Sequence, residues 1–500
     1  MSIAGRSFYL FHPSRRDPST NHGECWYASR EHPEIIQGGM GVGVSSWSLA
    51  RAVALQGQLG VVSGTAVDIT LIRRLWDGDP LGDFRRAMQA FPLPEFVDEV
   101  MGRFYRADRA DHEPFPILPL HKPVLNSFQE RLMVLANFVE VFLAKEGHSG
   151  PVGINYLTKI QLPTLPSLYG ALAGVDYVLM GAGIPREIPG VLDALVEHAP
   201  ASIRFDILGG TGAEDEALNF DPSVVWSNPE RPTLTRPKFL PIVSSDSLAT
   251  MMTRKANGRV DGFIIEENTA GGHNAPPRGG GTKNERGEPL YGERDQANLD
   301  KVAALGLPFW LAGGVGTPQQ FQEAKAAGAA GIQVGTLFAY AVESGVRADL
   351  REKVLNQVRR GEADVMTDGR ASPTGFPFKT VMLDDTLSDD AVYAARARIC
   401  DVGYLRAPYR REDGRIAFRC PSEPVDTFVK KGGSETDTDG RKCLCNALIA
   451  NTGFPQVRDG GVTEAPLLTS GDDLKLLGGF LGERTSYTAV DVIEYLLTPA

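Results

Sequence analysis

The chain has no long run of lysine or arginine, and its formal net charge is −11 across 500 residues. No cationic face is written into it for nucleic acid or for an anionic membrane surface. It also lacks any stretch approaching the ~18–20 consecutive apolar residues of a membrane-spanning helix. The opening residues, Met1-Ser2-Ile3-Ala4-Gly5-Arg6, have no apolar core of the signal-peptide kind, so the expectation is a soluble, cytoplasmic protein. Cysteine is sparse: Cys25, Cys400, Cys420, Cys443 and Cys445. An odd, scattered set in a long chain does not read as a disulfide framework, and reduced thiols are expected. Cys443-Leu444-Cys445, with Cys420 upstream, lacks the usual zinc spacing, which leaves a metal there as the lesser reading. A dinucleotide-binding turn is missing too. Gly38-Gly39-Met40-Gly41-Val42-Gly43 is rich in glycine but does not give Gly-x-Gly-x-x-Gly in register, which argues against a Rossmann domain.

What is present is an alternation of short apolar runs with helical patterns, in a chain whose 42% hydrophobic content supports a large core. Eight runs read as buried strands: 34–37, 59–63, 152–156, 176–180, 239–243, 262–265, 309–312 and 331–334. Helical patterns follow at 47–56, 188–197 and from about 247. Eight β units alternating with helices predict a (β/α)8 TIM barrel over 34–344 rather than an open sheet. Residues 1–33 form an N-terminal extension. The barrel is longer than usual because of inserts. Residues 66–150 exceed one crossover and carry helical patterns at 71–76, 83–90 and 132–144, so they are expected to cap the barrel mouth. Residues 202–207 read as an extra hairpin strand. The polar, glycine-rich stretch 274–293 is expected to be a mobile loop beside the site. From 345 to 500 the pattern changes to a mostly helical region, with helices expected at 346–360, 389–398, 474–481 and 489–497, packed on the barrel.

The chemistry gathers at three consecutive strand ends. Ala270-Gly271-Gly272-His273 puts an imidazole at the rim of a site, on backbone that can approach a ligand closely. Ala312-Gly313-Gly314 and Gln333-Val334-Gly335-Thr336 then fall where barrels of this kind commonly bind phosphate, after strands seven and eight. Glycine lets N–H groups approach a phosphate with no Cβ in the way, and Thr336 adds a hydroxyl. Lys379 reads as a surface lysine on a loop, with a return over the barrel mouth toward an anionic substrate as the other reading.

As a set, these motifs resemble the nitronate monooxygenase (2-nitropropane dioxygenase-like) family, which includes flavin-dependent enoyl-acyl-carrier-protein reductases and trans-acting enoyl reductases. Ile36-Gln37-Gly38-Gly39-Met40, Gly153-Ile154-Asn155, Ala270-Gly271-Gly272-His273, Ala312-Gly313-Gly314 and Gln333-Val334-Gly335-Thr336 occur in the family's order over about residues 34–344. The resemblance implies one non-covalent FMN. Gly39 and Met40 would lie along its ring and Asn155 at the ring's polar edge. Gly272, Gly313, Gly314, Gln333, Gly335 and Thr336 would hold its phosphate and ribityl chain, with His273 facing the substrate as the catalytic group. Thr269 stands where many members have Glu, and Glu266 and Glu267 lie just upstream. The inserts and the C-terminal region are foreign to short members, so the substrate does not carry over. The implied activity is oxidation of a carbanionic nitro or nitronate substrate with O2. The alternative is reduction of an enoyl thioester by NAD(P)H, with acyl carrier protein as a partner in fatty acid or polyketide synthesis. A flavin-binding partner subunit of a biosynthetic assembly is a third reading.

Overall fold

The computed structural model describes residues 32–110, 113–211, 216–226 and 231–499. The expected N-terminal extension therefore lies almost wholly outside the described residues, as does Cys25. Among the described residues fourteen strands occur in chain order. They are β1 (Ile35–Gln37), β2 (Gly60–Ser63), β3 (Val152–Leu157), β4 (Tyr177–Gly181), β5 (Ala201–Arg204), β6 (Ala217–Phe220) and β7 (Lys238–Val243). The rest are β8 (Phe263–Glu266), β9 (Phe309–Ala312), β10 (Gly331–Val334), β11 (Val365–Asp368), β12 (Phe378–Val381), β13 (Ala407–Arg410) and β14 (Ile416–Arg419).

Eight of them form one parallel sheet in the order β1-β10-β9-β8-β7-β4-β3-β2. The sheet closes on itself: Leu59 N–H donates to Ile35 O at 3.0 Å and Gln37 N–H donates to Leu59 O at 2.9 Å. This is the expected (β/α)8 barrel. The continuous apolar strand runs are explained by burial on both faces. Ile36, Val61, Leu179, Leu240, Ile264 and Trp310 pack together inside the barrel, whereas their neighbours Ile35, Val62, Val178, Phe239, Phe263 and Ile265 face the surrounding helices. The Trp310 indole donates to Pro33 O at 2.8 Å and so satisfies its own buried N–H. The β5–β6 antiparallel hairpin matches the extra strand read at 202–207.

Two expectations need correction. The insert at 66–150 is not a cap. Its longest helix, Ser127–Lys145, is capped by the Asn126 side chain and buried on nearly every face between helices Trp47–Leu55 and Thr164–Ala171, on the outside of the barrel. A helix apolar all round is a core helix, and this one serves as the crossover between β2 and β3. The region 345–500 does carry helices at Ala348–Arg360, Asp390–Ala395, Leu477–Leu481 and Ala489–Leu497, but also the β11–β12 and β13–β14 hairpins, and it is this region that covers the barrel mouth. The stretch 274–293 is a largely exposed loop, as expected, folded back on itself and held by contacts. Lys283 and Pro289 form a β-bridge, the Glu288 carboxylate accepts from Thr367 N–H at 2.9 Å, and Arg286 pairs with Asp364 at 2.7 Å.

The packing of the first helix on β2 depends on one glycine. A Cβ at Gly60 would lie 1.8 Å from the Ala50 carbonyl oxygen. Gly60→Ala should therefore destabilise the protein by about 1–3 kcal/mol through overpacking. A thermal midpoint equal to that of the parent would show that helix Trp47–Leu55 can move away at no cost.

Candidate functional site

The strand ends and the C-terminal region enclose a cavity of about 230 Å³. Its floor is built by Gly38–Gly41 after β1, Asn155 of β3, Glu266 and Thr269–His273 at the end of β8, Ala312 and Gly313 after β9, and Gln333, Gly335 and Thr336 at β10. Its roof is Phe378, Val402, Tyr404, Leu405, Leu444, Leu448 and the strap Leu468–Gly471 with Asp473. Of the residues expected at the site, Gly39, Met40, Asn155, Gly272, His273, Gly313, Gln333, Gly335 and Thr336 all line this one cavity. Gly314 does not. It sits one step behind, in the left-handed conformation at φ +66, with its Cβ position facing Thr269 Oγ1 at 3.1 Å.

Two polar atoms in the floor are buried without a hydrogen-bond partner, Asn155 Oδ1 and Gln333 Oε1. Asn155 is held in place because its Nδ2 donates to Gly39 O at 3.0 Å. Gly39 permits that approach, since a Cβ there would lie 2.1 Å from Asn155 Cβ. An unsatisfied buried acceptor costs roughly 1–3 kcal/mol, so both oxygens call for N–H or O–H donors on a bound molecule. Gly335 keeps the space open beside them: its Cβ position meets nothing nearer than Met40 Sδ at 3.6 Å.

The supposed phosphate loops are already partly engaged by the chain itself. Gly272 N–H donates to Thr469 Oγ1 at 2.8 Å, and Thr336 Oγ1 accepts from Gly471 N–H at 2.9 Å. The Val315 N–H, in the turn after β9, donates to the Asp473 carboxyl. Burial, and then the neighbouring Asp472 charge, push that carboxyl up to about 6. A phosphate at this end of the cavity would share its turn with Asp473 and is best tolerated when Asp473 is protonated.

His273 is fixed rather than free. A ring nitrogen, Nε2, lies 2.7 Å from Ser372 Oγ, and Phe378 packs edge-on at 4.9 Å between ring centroids. Burial, with the Lys159 charge adding, pushes the imidazole down to about 4, so it is neutral at ordinary pH. Its backbone is clamped by β12: His273 bridges Phe378, and Lys379 N–H donates to Gly272 O at 2.9 Å. Lys379 is not a surface lysine, and it does not line this cavity. Its side chain is 4% exposed, and Nζ donates to Thr367 Oγ1 at 2.9 Å and Asp472 at 2.8 Å, tying β12 to the strap.

The residue that sequence reasoning passed over is Glu266, the last residue of β8, which lines the cavity. Burial alone pushes its carboxyl up to about 7. The available signal was its place at a barrel strand's C-terminal end, where catalytic residues concentrate. Among the described residues, the cavity lining contains no lysine or arginine. Among the described residues no group of three or more His, Cys, Asp or Glu is arranged to hold a metal ion.

No family model matches the chain, and no curated protein matches it. Among solved structures it is similar to FabK from Thermotoga maritima, at 16% identity over 94% of this chain and 92% of that one, with a TM-score of 0.49. It is also similar to the enoyl reductase domain of MlnA from Bacillus amyloliquefaciens, at 12% identity over 93% and 94% of the two chains, with a TM-score of 0.44. A nitroalkane oxidase from Streptomyces ansochromogenes matches at 15% identity over 93% and 94%, with a TM-score of 0.41. Likeness at this level says nothing of the chemistry, which has to come from the cavity.

Substitutions at two positions test the cavity as a ligand site. Gly335→Ala meets no clash in the protein, so it should leave folding intact, and any loss of FMN binding would show that the ligand occupies that space; Gly335→Val should lose more. Asp473→Asn should tighten FMN binding above the titration of Asp473, and in the parent the affinity should fall as pH rises through about 6, where the carboxyl ionises. FMN affinity that ignores pH and both positions would remove this end of the cavity from the site.

Proposed function

We propose that the protein is an FMN-dependent oxidoreductase that takes a neutral, largely apolar substrate and oxidises it at carbon with O2, in the manner of a nitronate monooxygenase. The observation that carries this reading is Glu266, a carboxyl pushed up to about 7 in the same cavity as a neutral His273. A general base works best when its pKa lies near the operating pH, which suits Glu266 and not an imidazole at about 4. In this reading Glu266 removes the proton from a carbon acid. His273, steadied by Ser372 and Phe378, hydrogen-bonds the charge that develops on the substrate.

The residues suit FMN at the ring end. Asn155 Oδ1 and Gln333 Oε1 lack donors, Gly39 and Met40 offer a thin wall, and Gly272, Gly313, Gly335 and Thr336 lead toward the phosphate end. FMN, when bound, supplies the acceptor for two electrons, and the protein supplies position and polarity. The lack of lysine and arginine in the lining favours a substrate that enters uncharged and loses its proton inside.

A second reading is favoured by the roof. Val402, Leu405, Leu444 and Leu448 form an apolar wall suited to an acyl chain, as in reduction of an enoyl thioester by NAD(P)H, with acyl carrier protein as the donor of substrate. Glu266 would then give a proton rather than take one.

The two readings predict opposite pH limbs. If Glu266 is the base, kcat/KM rises as pH rises through about 7; if it is the proton donor, kcat/KM falls over the same interval. In either case Glu266→Gln should lower turnover by roughly 10²–10⁴-fold and erase that limb, while retaining FMN. Anaerobic mixing, read by flavin absorbance, adds a second check. Bleaching by a nitroalkane alone supports the oxidation, and bleaching by NADH or NADPH supports the reductase. A Glu266→Gln variant with the parent's rate and pH profile would remove Glu266 from the reaction.

A further inference from the structure

The turn Ser372-Pro373-Thr374-Gly375, in the C-terminal region, meets His273 across 99 positions of chain. Ser372 is fully buried, and its Oγ lies 2.7 Å from His273 Nε2. The same Oγ lies 2.8 Å from Thr374 Oγ1 and accepts from Thr374 N–H at 3.2 Å. Thr374 Oγ1 in turn accepts from Phe376 N–H at 3.4 Å. The backbone that carries Ser372 is fixed from outside. Its carbonyl accepts from Gly375 N–H at 3.1 Å and from Arg441 Nη1–H at 2.5 Å, and the Ala371 carbonyl accepts from Lys442 N–H at 2.9 Å. A hydroxyl is therefore held at one nitrogen of the imidazole, while the ring borders the large cavity. Among the described residues Nδ1 has no hydrogen-bond partner, so it is the nitrogen left for a bound molecule.

A neutral imidazole has one N–H, and the bond made at one ring nitrogen sets which nitrogen carries it. The hydroxyls can run in either of two directions. If His273 Nε2–H donates to Ser372, the Ser372 O–H goes on to Thr374 Oγ1. The Thr374 O–H then has no acceptor among the described residues, and Nδ1 faces the cavity as a bare acceptor. In the other direction Thr374 O–H donates to Ser372 Oγ, and Ser372 O–H donates to His273 Nε2. Each hydroxyl hydrogen then has an acceptor, and the imidazole hydrogen falls on Nδ1. The second direction satisfies more of the chain, as buried hydrogen-bond networks generally do.

We propose that Ser372, oriented by Thr374, is a positioning residue that holds His273 as the Nδ1–H tautomer, so that the imidazole offers a donor to the cavity. The proposal rests on the reading of His273 as the group that meets charge developing on the substrate. A donor already aimed at that charge needs no reorganisation during the reaction. The other tautomer would present a lone pair and repel it. The same donor serves both candidate reactions, since a nitro compound losing its α-proton and an enoyl thioester accepting hydride each gather negative charge on oxygen.

The test is nitrogen-15 NMR of the FMN-loaded full chain with labelled histidine. Correlations to the ring C–H protons distinguish the tautomers, and His273→Gln identifies the signals of His273. The expected result is a neutral ring protonated at Nδ1; a ring protonated at Nε2 overturns the proposal. Ser372→Ala should keep its FMN and move the hydrogen toward Nε2. It should also slow turnover of nitroethane, or of a crotonyl thioester with NADPH, by roughly 10²-fold, about what one lost oxyanion donor costs. Ser372→Thr keeps the hydroxyl and should restore both. An unchanged tautomer and rate in Ser372→Ala would leave Ser372 a packing residue and overturn its positioning role. A shifted hydrogen with an unchanged rate upholds the tautomer assignment and fails the functional reading instead. Should Ser372→Ala not fold, the parent spectrum decides alone, because the tautomer is read without substrate.

Discussion

The site depends on the clamp that the C-terminal region places on Gly271-Gly272-His273. Gly272 is held from both sides, its N–H by Thr469 Oγ1 and its carbonyl by Lys379 N–H. A Cβ at Gly271 would lie 2.8 Å from Gly471 N, so the strap and the loop can meet only because both are bare there. The same contact buries His273 under Phe378 and lowers its basicity, and the strap it anchors carries Asp473 onto the turn after β9. The clamp thus links the strap, the neutral imidazole and the second acid through one set of contacts.

Burial without pairing is the common electrostatic theme. Glu266 and His273 are shifted in opposite senses, the acid up and the base down, because a low-dielectric cavity disfavours charge of either sign. The result is a floor that is close to electrically neutral and yet holds a proton that can move at ordinary pH. By contrast, Arg396, Arg458, Asp401 and Glu464 of the C-terminal region are paired with one another. Arg458 binds Asp401 at 2.6 Å and also the Glu464 carboxylate, and Arg396 binds Glu464 at 2.7 Å, which knits the irregular segments from behind. The Tyr404 hydroxyl donates to Asp68, so the roof is also pinned to the insert helix Val67–Trp76. The insert underpins the lid and does not form it.

Much of the barrel was legible because its signals are local. Apolar runs of four or five residues are what a strand buried on both faces must look like. The Gly-rich ends of β8, β9 and β10 likewise pointed to one rim, and the structure brings them to one cavity, with Gly314 alone left behind. What escaped was non-local. Gly272 and Thr469 are 197 positions apart, and nothing periodic in 468–473 announces that it lies over a barrel mouth. Lys379 read as a surface residue because lysine is seldom buried; its partners are Thr367, opposite it in the β11–β12 hairpin, and Asp472, 93 positions away. Glu266 was visible but carried no motif, and the upward shift of its carboxyl comes from burial, which a sequence does not print.

The central claim is that this cavity holds a single-phosphate flavin between the strand ends and the C-terminal roof. The most direct measurement is to denature the purified protein and identify the released chromophore by chromatography and mass, with reconstitution of any colourless fraction. The account predicts FMN in a ratio approaching one per chain, bound again on refolding or on addition to apoprotein. Release of FAD, or a protein that neither carries nor takes up FMN, would contradict it.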